Sequence, residues 1–147
     1  RLVNAGAKHV VVTGTYDLSK TPWATAINQV SLLNDASSRF NEGLLVNIVD
    51  LGANVLYIDA AYYVNLYTSS PGSYSFDNAT TPVCTSVDAG NGIGIGTGQV
   101  NSALCTTATL LPSANQNKYV FADAVYLTPS AHRQLGDYAY DRLRARW

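Results

Sequence analysis

Three side chains near the end of the sequence, Asp123, Tyr126 and His132, are of types that hold or move protons, and all lie in one block, Tyr119-Val-Phe-Ala-Asp-Ala-Val-Tyr-Leu-Thr-Pro-Ser-Ala-His132. An acid three residues before a basic ring on a loop can hold that ring in a single tautomer, and the ring can then take the proton of a serine nucleophile. Here the ring at that spacing is a phenol. With an ordinary pKa of about 10, a tyrosine is a poor general base at neutral pH and has no second nitrogen to relay the proton. His132 lies about one helical turn into the last helix, where a helix-surface role fits better than catalysis. His9 opens an apolar run and reads as a strand-edge or satisfied core residue. Asp17 and Asp59 close candidate strands, where α/β folds place their sites, although an ordinary polar strand end explains each as well. No Gly-x-Ser-x-Gly or Gly-Asp-Ser occurs to supply the nucleophile.

The elements that must position these groups follow from periodicity and turn chemistry. Leu2 to Ala7 looks like a helix end with a glycine turn. His9-Val-Val-Val-Thr13 is a continuous β-branched run, which predicts a strand buried on both faces. From 23 to 51, Ile27, Val30, Leu33, Phe40, Leu44 and Ile48 recur at spacings of an amphipathic helix, with Gly43 and the polar stretch 34–38 as candidate interruptions and Gly52 as the stop. Residues 54–59 predict a second strand and 60–67 a short helix. The stretch 119–122 reads as a short buried strand, followed by a loop with Asp123. The last helix opens at Thr128 as cap and Pro129 as first residue, with Arg142, Arg144 and Arg146 near its negative end.

Between these lies a long irregular region, 68–118, of a length that compact domains keep only when it is functional or tied down. Cys84 and Cys105 sit within it among Gly, Ser, Thr and Asn, a setting that favours a disulfide in an oxidising compartment over two reduced thiols. Two ligands with no nearby histidine make no zinc set. Asn78-Ala-Thr80 matches a glycosylation sequon but reads better as a polar loop. The glycine run 90–98 has no strand before it and no helix start after it, so a surface loop is expected rather than a phosphate cradle.

The length of 147 residues bounds the chain to one domain. A formal net charge of -1 gives no electrostatic case for nucleic acid or an anionic membrane as partner. No segment reaches the roughly 18 to 20 apolar residues of a membrane span. The sequence contains no methionine, which predicts a processed product or a piece of a longer chain.

The block around Asp123 resembles the last conserved block of the GDSL, or SGNH, ester hydrolases, in which an aspartate and a histidine three residues later follow an aromatic-rich strand. The stretches 6–13, 21–22, 54–59 and 81–84 are similar in order and spacing to the latter half of those enzymes. The resemblance implies an α/β fold with a mostly parallel sheet flanked by helices, part of a flavodoxin-like three-layer sandwich. It implies that residues 1–147 are the C-terminal part of one hydrolase domain. By the same resemblance Asp123 matches the catalytic acid, while Tyr126 stands at the histidine position and Leu127 replaces the proline that often follows. The family's serine and oxyanion groups would precede Arg1. A lipase or esterase that needs no cofactor, takes an ester or lipid substrate, and is secreted, periplasmic or at the cell surface is thus implied, with this chain inactive alone. The alternative is a catalytically dead binding or scaffolding domain. Half a sheet would leave an edge and apolar faces open, so the missing N-terminal half or self-association is expected to cover them.

Overall fold

The two β-branched runs pair as expected: β1 (Val10–Thr13) and β2 (Val55–Ile58) are parallel and in register, Val10 beside Val55 and Thr13 beside Ile58. The computed structural model describes residues 1–147 and contains one sheet, of these two strands, in a mixed α/β arrangement with four α-helices. Burial on both faces holds for neither side of β1. Its residues alternate between half-buried and exposed, and Val11 is 45% exposed, because β2 is its sole strand neighbour.

Local capping sets the helix starts. Thr21 accepts from the Ala24 amide at 3.2 Å and opens α1 (Pro22–Ala26), Asp59 accepts from Tyr62 at 2.9 Å and opens α3 (Ala60–Ser69), and Thr128 accepts from Ala131 at 3.3 Å and opens α4 (Pro129–Arg146). Each oxygen satisfies an amide that the first turn leaves without a partner. The amphipathic run is broken neither at 34–38 nor at Gly43; the break falls at Asn28, whose φ of 53° is left-handed, and α2 (Val30–Ile48) then runs uninterrupted. A 3-10 segment, Val49–Asn54, follows, with Gly52 at φ 55° turning the chain into β2. At the opposite end of the molecule's chain, Trp147 stacks on His9 with ring centroids 4.3 Å apart and donates its indole N–H to Ala53 at 3.2 Å.

The core joins α3, the segment after it and α4: Val64, Tyr67, Phe76, Val120, Phe121 and Leu127 are buried together with Ala131. Full burial of side chains of this size contributes about 1.5–3 kcal/mol each. Of the stretch 119–122, Val120, Phe121 and Ala122 are buried, as expected, and Tyr119 is half-buried, yet the stretch forms no strand. Its backbone is shared among several segments: the Val120 amide donates to Asn78, Val83 and Cys84 donate to Phe121 and Ala122, and Thr128 donates to Val120. Such dispersed pairing cannot make a ladder with one neighbour.

The region after Ser69 is irregular but tied. Cys84 and Cys105 form a disulfide with Cα atoms 5.8 Å apart, closing a separation of 21 residues. The glycine run leads into a three-residue 3-10 turn, Ser102–Leu104, and not an α-helix. Side chains fasten it, since Asp88 accepts from the Gly90 amide and Asn91 from the Gly96 amide, both at 2.8 Å.

Candidate functional site

Asp123 is fully buried where the stretch 119–122 turns toward α4. Its Oδ1 accepts from the amides of Val125 at 2.9 Å and Tyr126 at 2.7 Å, and its Oδ2 accepts from the amide of Ser102 at 2.9 Å. Both oxygens are thereby engaged by backbone donors, in charge-assisted bonds of the stronger kind. One carboxylate folds its own loop and fastens that loop to the disulfide-closed region.

Tyr126 is held by its backbone, with its amide on Asp123 and its carbonyl accepting from Ala122 at 2.8 Å. The ring, 48% exposed, lines a cleft of about 330 Å³ with Gly92, Ile93, Asn101 and Ser102. Asn101 donates to Asp88 at 2.8 Å, and a Cβ on Gly92 would collide with both of those side chains. A second phenol approaches from the loop after β1: Tyr16 donates to the Val125 carbonyl at 2.7 Å. Burial, and then the negative charges of Tyr126 and Asp123, push the Tyr16 pKa up to about 12. At neutral pH this hydroxyl keeps its proton, so it is a donor and brace with no capacity as a base.

His132 occupies a different cleft. It is exposed, one turn into α4, with Nδ1 3.2 Å from the Thr128 carbonyl oxygen. The cleft it lines measures about 460 Å³ and is shared with Ser102, Thr106, Thr107, Gln116 and the Cys84–Cys105 bridge. Asp123 and Tyr126 are thus brought together, whereas no hydrogen bond joins His132 to Asp123. His9 is the stacking partner of Trp147. Asp59 directly follows β2 and caps α3, whereas buried Asp17 lies four residues beyond the end of β1 and caps a 3-10 turn through the Ser19 amide while accepting from Asn34 at 3.1 Å, so the strand-end reading holds for Asp59 and not for Asp17.

Sequence reasoning missed Ser102, Asn101 and Tyr16. Ser102 lies 21 residues from Asp123 and touches it through its amide, which no residue type advertises. Tyr16 had one signal, its place just beyond the C-terminal end of a parallel strand. No cluster of three or more His, Cys, Asp or Glu residues is placed to hold a metal ion. No helix is long and apolar enough to cross a membrane.

No protein-family profile matches the chain. Over 157 aligned residues it is 27% identical to a GDSL esterase/lipase of Arabidopsis thaliana, an alignment that takes in 98% of this chain and 40% of that protein. The chain therefore spans about two fifths of the length of the curated relative it matches. That likeness, together with the disulfide, is compatible with an extracellular protein distantly related to GDSL ester hydrolases.

Proposed function

We propose that this chain is the C-terminal part of a GDSL-like ester hydrolase domain of the secreted or cell-surface type, a three-layer α/β sandwich when complete, and that it does not turn over esters by itself. The observation that carries this reading is Asp123, buried in the frame of the family's acid with both oxygens on backbone amides and a phenol in place of the imidazole. Such a carboxylate supports the loop on which a base would sit. The serine must then come from residues outside this chain and the base from His132 or an upstream histidine, if there is one at all, and hydrolysis by that scheme needs no cofactor. The test is a p-nitrophenyl ester assay on the purified 147-residue chain. No turnover is expected, and turnover that disappears in Asp123→Asn with the fold retained overturns the reading.

A second reading, a catalytically dead SGNH-fold domain that binds or scaffolds, is favoured by the same phenol at Tyr126. Tyr126→His in the longest natural form of the protein separates the two. Activity created from none favours the dead domain, and an already active parent removes it.

A further inference from the structure

Tyr62, Asn65, Leu66 and Ser69 are spaced three and four apart, so one face of α3 carries them all, opposite Val64 and Tyr67 in the core. With Thr68 they line a cleft of about 470 Å³, a size typical of small-molecule sites, together with Lys20 of the 3-10 segment after β1 and with Ala79 and Thr80. None of these residues lines the clefts of Tyr126 or His132. The Asn78-Ala-Thr80 tripeptide finds its place here. The Asn78 carboxamide oxygen accepts from the amides of Thr80 and Thr81 at 2.9 and 2.8 Å, folding the segment into a turn beside the cleft.

The chemistry of the lining selects the ligand. Thr68 Oγ1 donates to the Val64 carbonyl at 2.9 Å and Ser69 Oγ to the Asn65 carbonyl at 2.7 Å. Each hydroxyl hydrogen is spent on the helix, so toward a ligand both oxygens can only accept. Asn65 Oδ1 is buried without a hydrogen-bond partner. An acceptor left in that state is costly, and rotation of the carboxamide turns it to the cleft when a donor arrives. Three acceptors on one helix call for a ligand with several hydroxyls. Tyr62, 56% exposed and packed edge-on against Tyr63 with centroids 5.7 Å apart, adds a flat aromatic surface. A pyranose meets both demands, with hydroxyls around its rim and apolar C–H bonds on its face. Lys20 is the one charged side chain of the lining, and no carboxylate accompanies it. A negative group on the ligand answers that charge. We propose that this cleft binds an acidic saccharide, a pyranose whose hydroxyls meet Asn65, Thr68 and Ser69, whose face lies on Tyr62 and whose carboxylate pairs with Lys20. The site is separate from the Asp123 loop, so it stands whether or not the protein hydrolyses esters.

The test titrates the longest natural form of the protein with methyl glucuronide, and with methyl glucoside as the uncharged control, while amide resonances are followed by NMR. Saturable shifts are expected from the glucuronide in the second half of α3 and at Lys20, Ala79 and Thr80. The glucoside is expected to shift the same amides with an affinity about five-fold lower, the share of a solvent-exposed ion pair. Lys20→Gln is expected to abolish the difference between the two sugars. Tyr62→Ala is expected to weaken both by about ten-fold or more, since the stacking surface is lost. Lys20 and Tyr62 are exposed, so neither change is expected to alter the far-ultraviolet circular dichroism. Absence of saturable shifts with either sugar overturns the proposal, as do shifts confined to other segments. Equal affinity for the two sugars, or binding indifferent to Tyr62→Ala, overturns it as well.

Discussion

The carboxylate of Asp123 and the phenol of Tyr126 stand three residues apart and make opposite demands on the fold. Asp123→Ala removes the acceptor of three backbone amides at a site with no solvent access. Buried unpartnered donors cost about 1–3 kcal/mol each, so a loss of roughly 3 kcal/mol or more is expected in urea unfolding. The Tyr126 hydroxyl has no protein partner, and Tyr126→Phe is expected to stay within about 0.5 kcal/mol of the parent. Equal stability in the two variants would remove the bracing role. Tyr16 carries a pH dependence of definite sign. Its folded pKa of about 12 lies above the ordinary phenol value of 10.0, so its contribution is whole below about pH 10 and is lost as pH rises toward 12. In alkaline titration followed by phenolate absorbance, Tyr16→Phe is expected to remove one equivalent of late-titrating tyrosine; an unchanged late fraction contradicts this. At this scale the sequence was legible where chemistry is local. The Asp123 frame could be read from its neighbours, but the engagement of its second oxygen depends on Ser102, brought close only by the closure of the long region.

Helices were legible because their starts are written in side chains. Thr128 with Pro129 caps where the sequence reading put it, while Thr21 with Pro22 and Asp59 cap in the same way at positions read as a loop and as a strand end. The break at Asn28 was not, because apolar spacing continues across it through Ile27, Val30 and Leu33, and a left-handed asparagine leaves no periodic mark. The stretch 119–122 failed as a strand for another reason: apolar content reports burial, while a ladder depends on what lies alongside. The junction of β1 with α2 offers a test at this level. A Cβ at Gly14 would collide with the Tyr57 hydroxyl and approach Asn41 Oδ1 to 2.6 Å, disturbing the clamp on Thr15. Gly14→Ala is expected to cost about 1–3 kcal/mol, with partial recovery when Tyr57→Phe is added. A stability equal to that of the parent would show that the junction gives way freely.

Across the whole molecule, the disulfide compensates for a core that lies mainly between α3 and α4 and leaves the region after it with little regular structure. Closing a loop of about 20 residues contributes on the order of 3 kcal/mol, and Cys84 is also buried against Val83 and Ala122. A clear fall in thermal midpoint is expected for Cys84→Ala with Cys105→Ala; an unchanged midpoint would mean that the hydrogen bonds of the loop suffice. The indole of Trp147 meets the molecule immediately ahead of both strands, on His9 and on Ala53. That single ring, 37% exposed in the folded chain, latches the two strand starts together, and its emission changes when it leaves the His9 ring. With Trp23 as the one other tryptophan, a Trp23→Phe chain carries an optical clock for the parting of β1 from β2, separate from the melting of the cluster around Phe121.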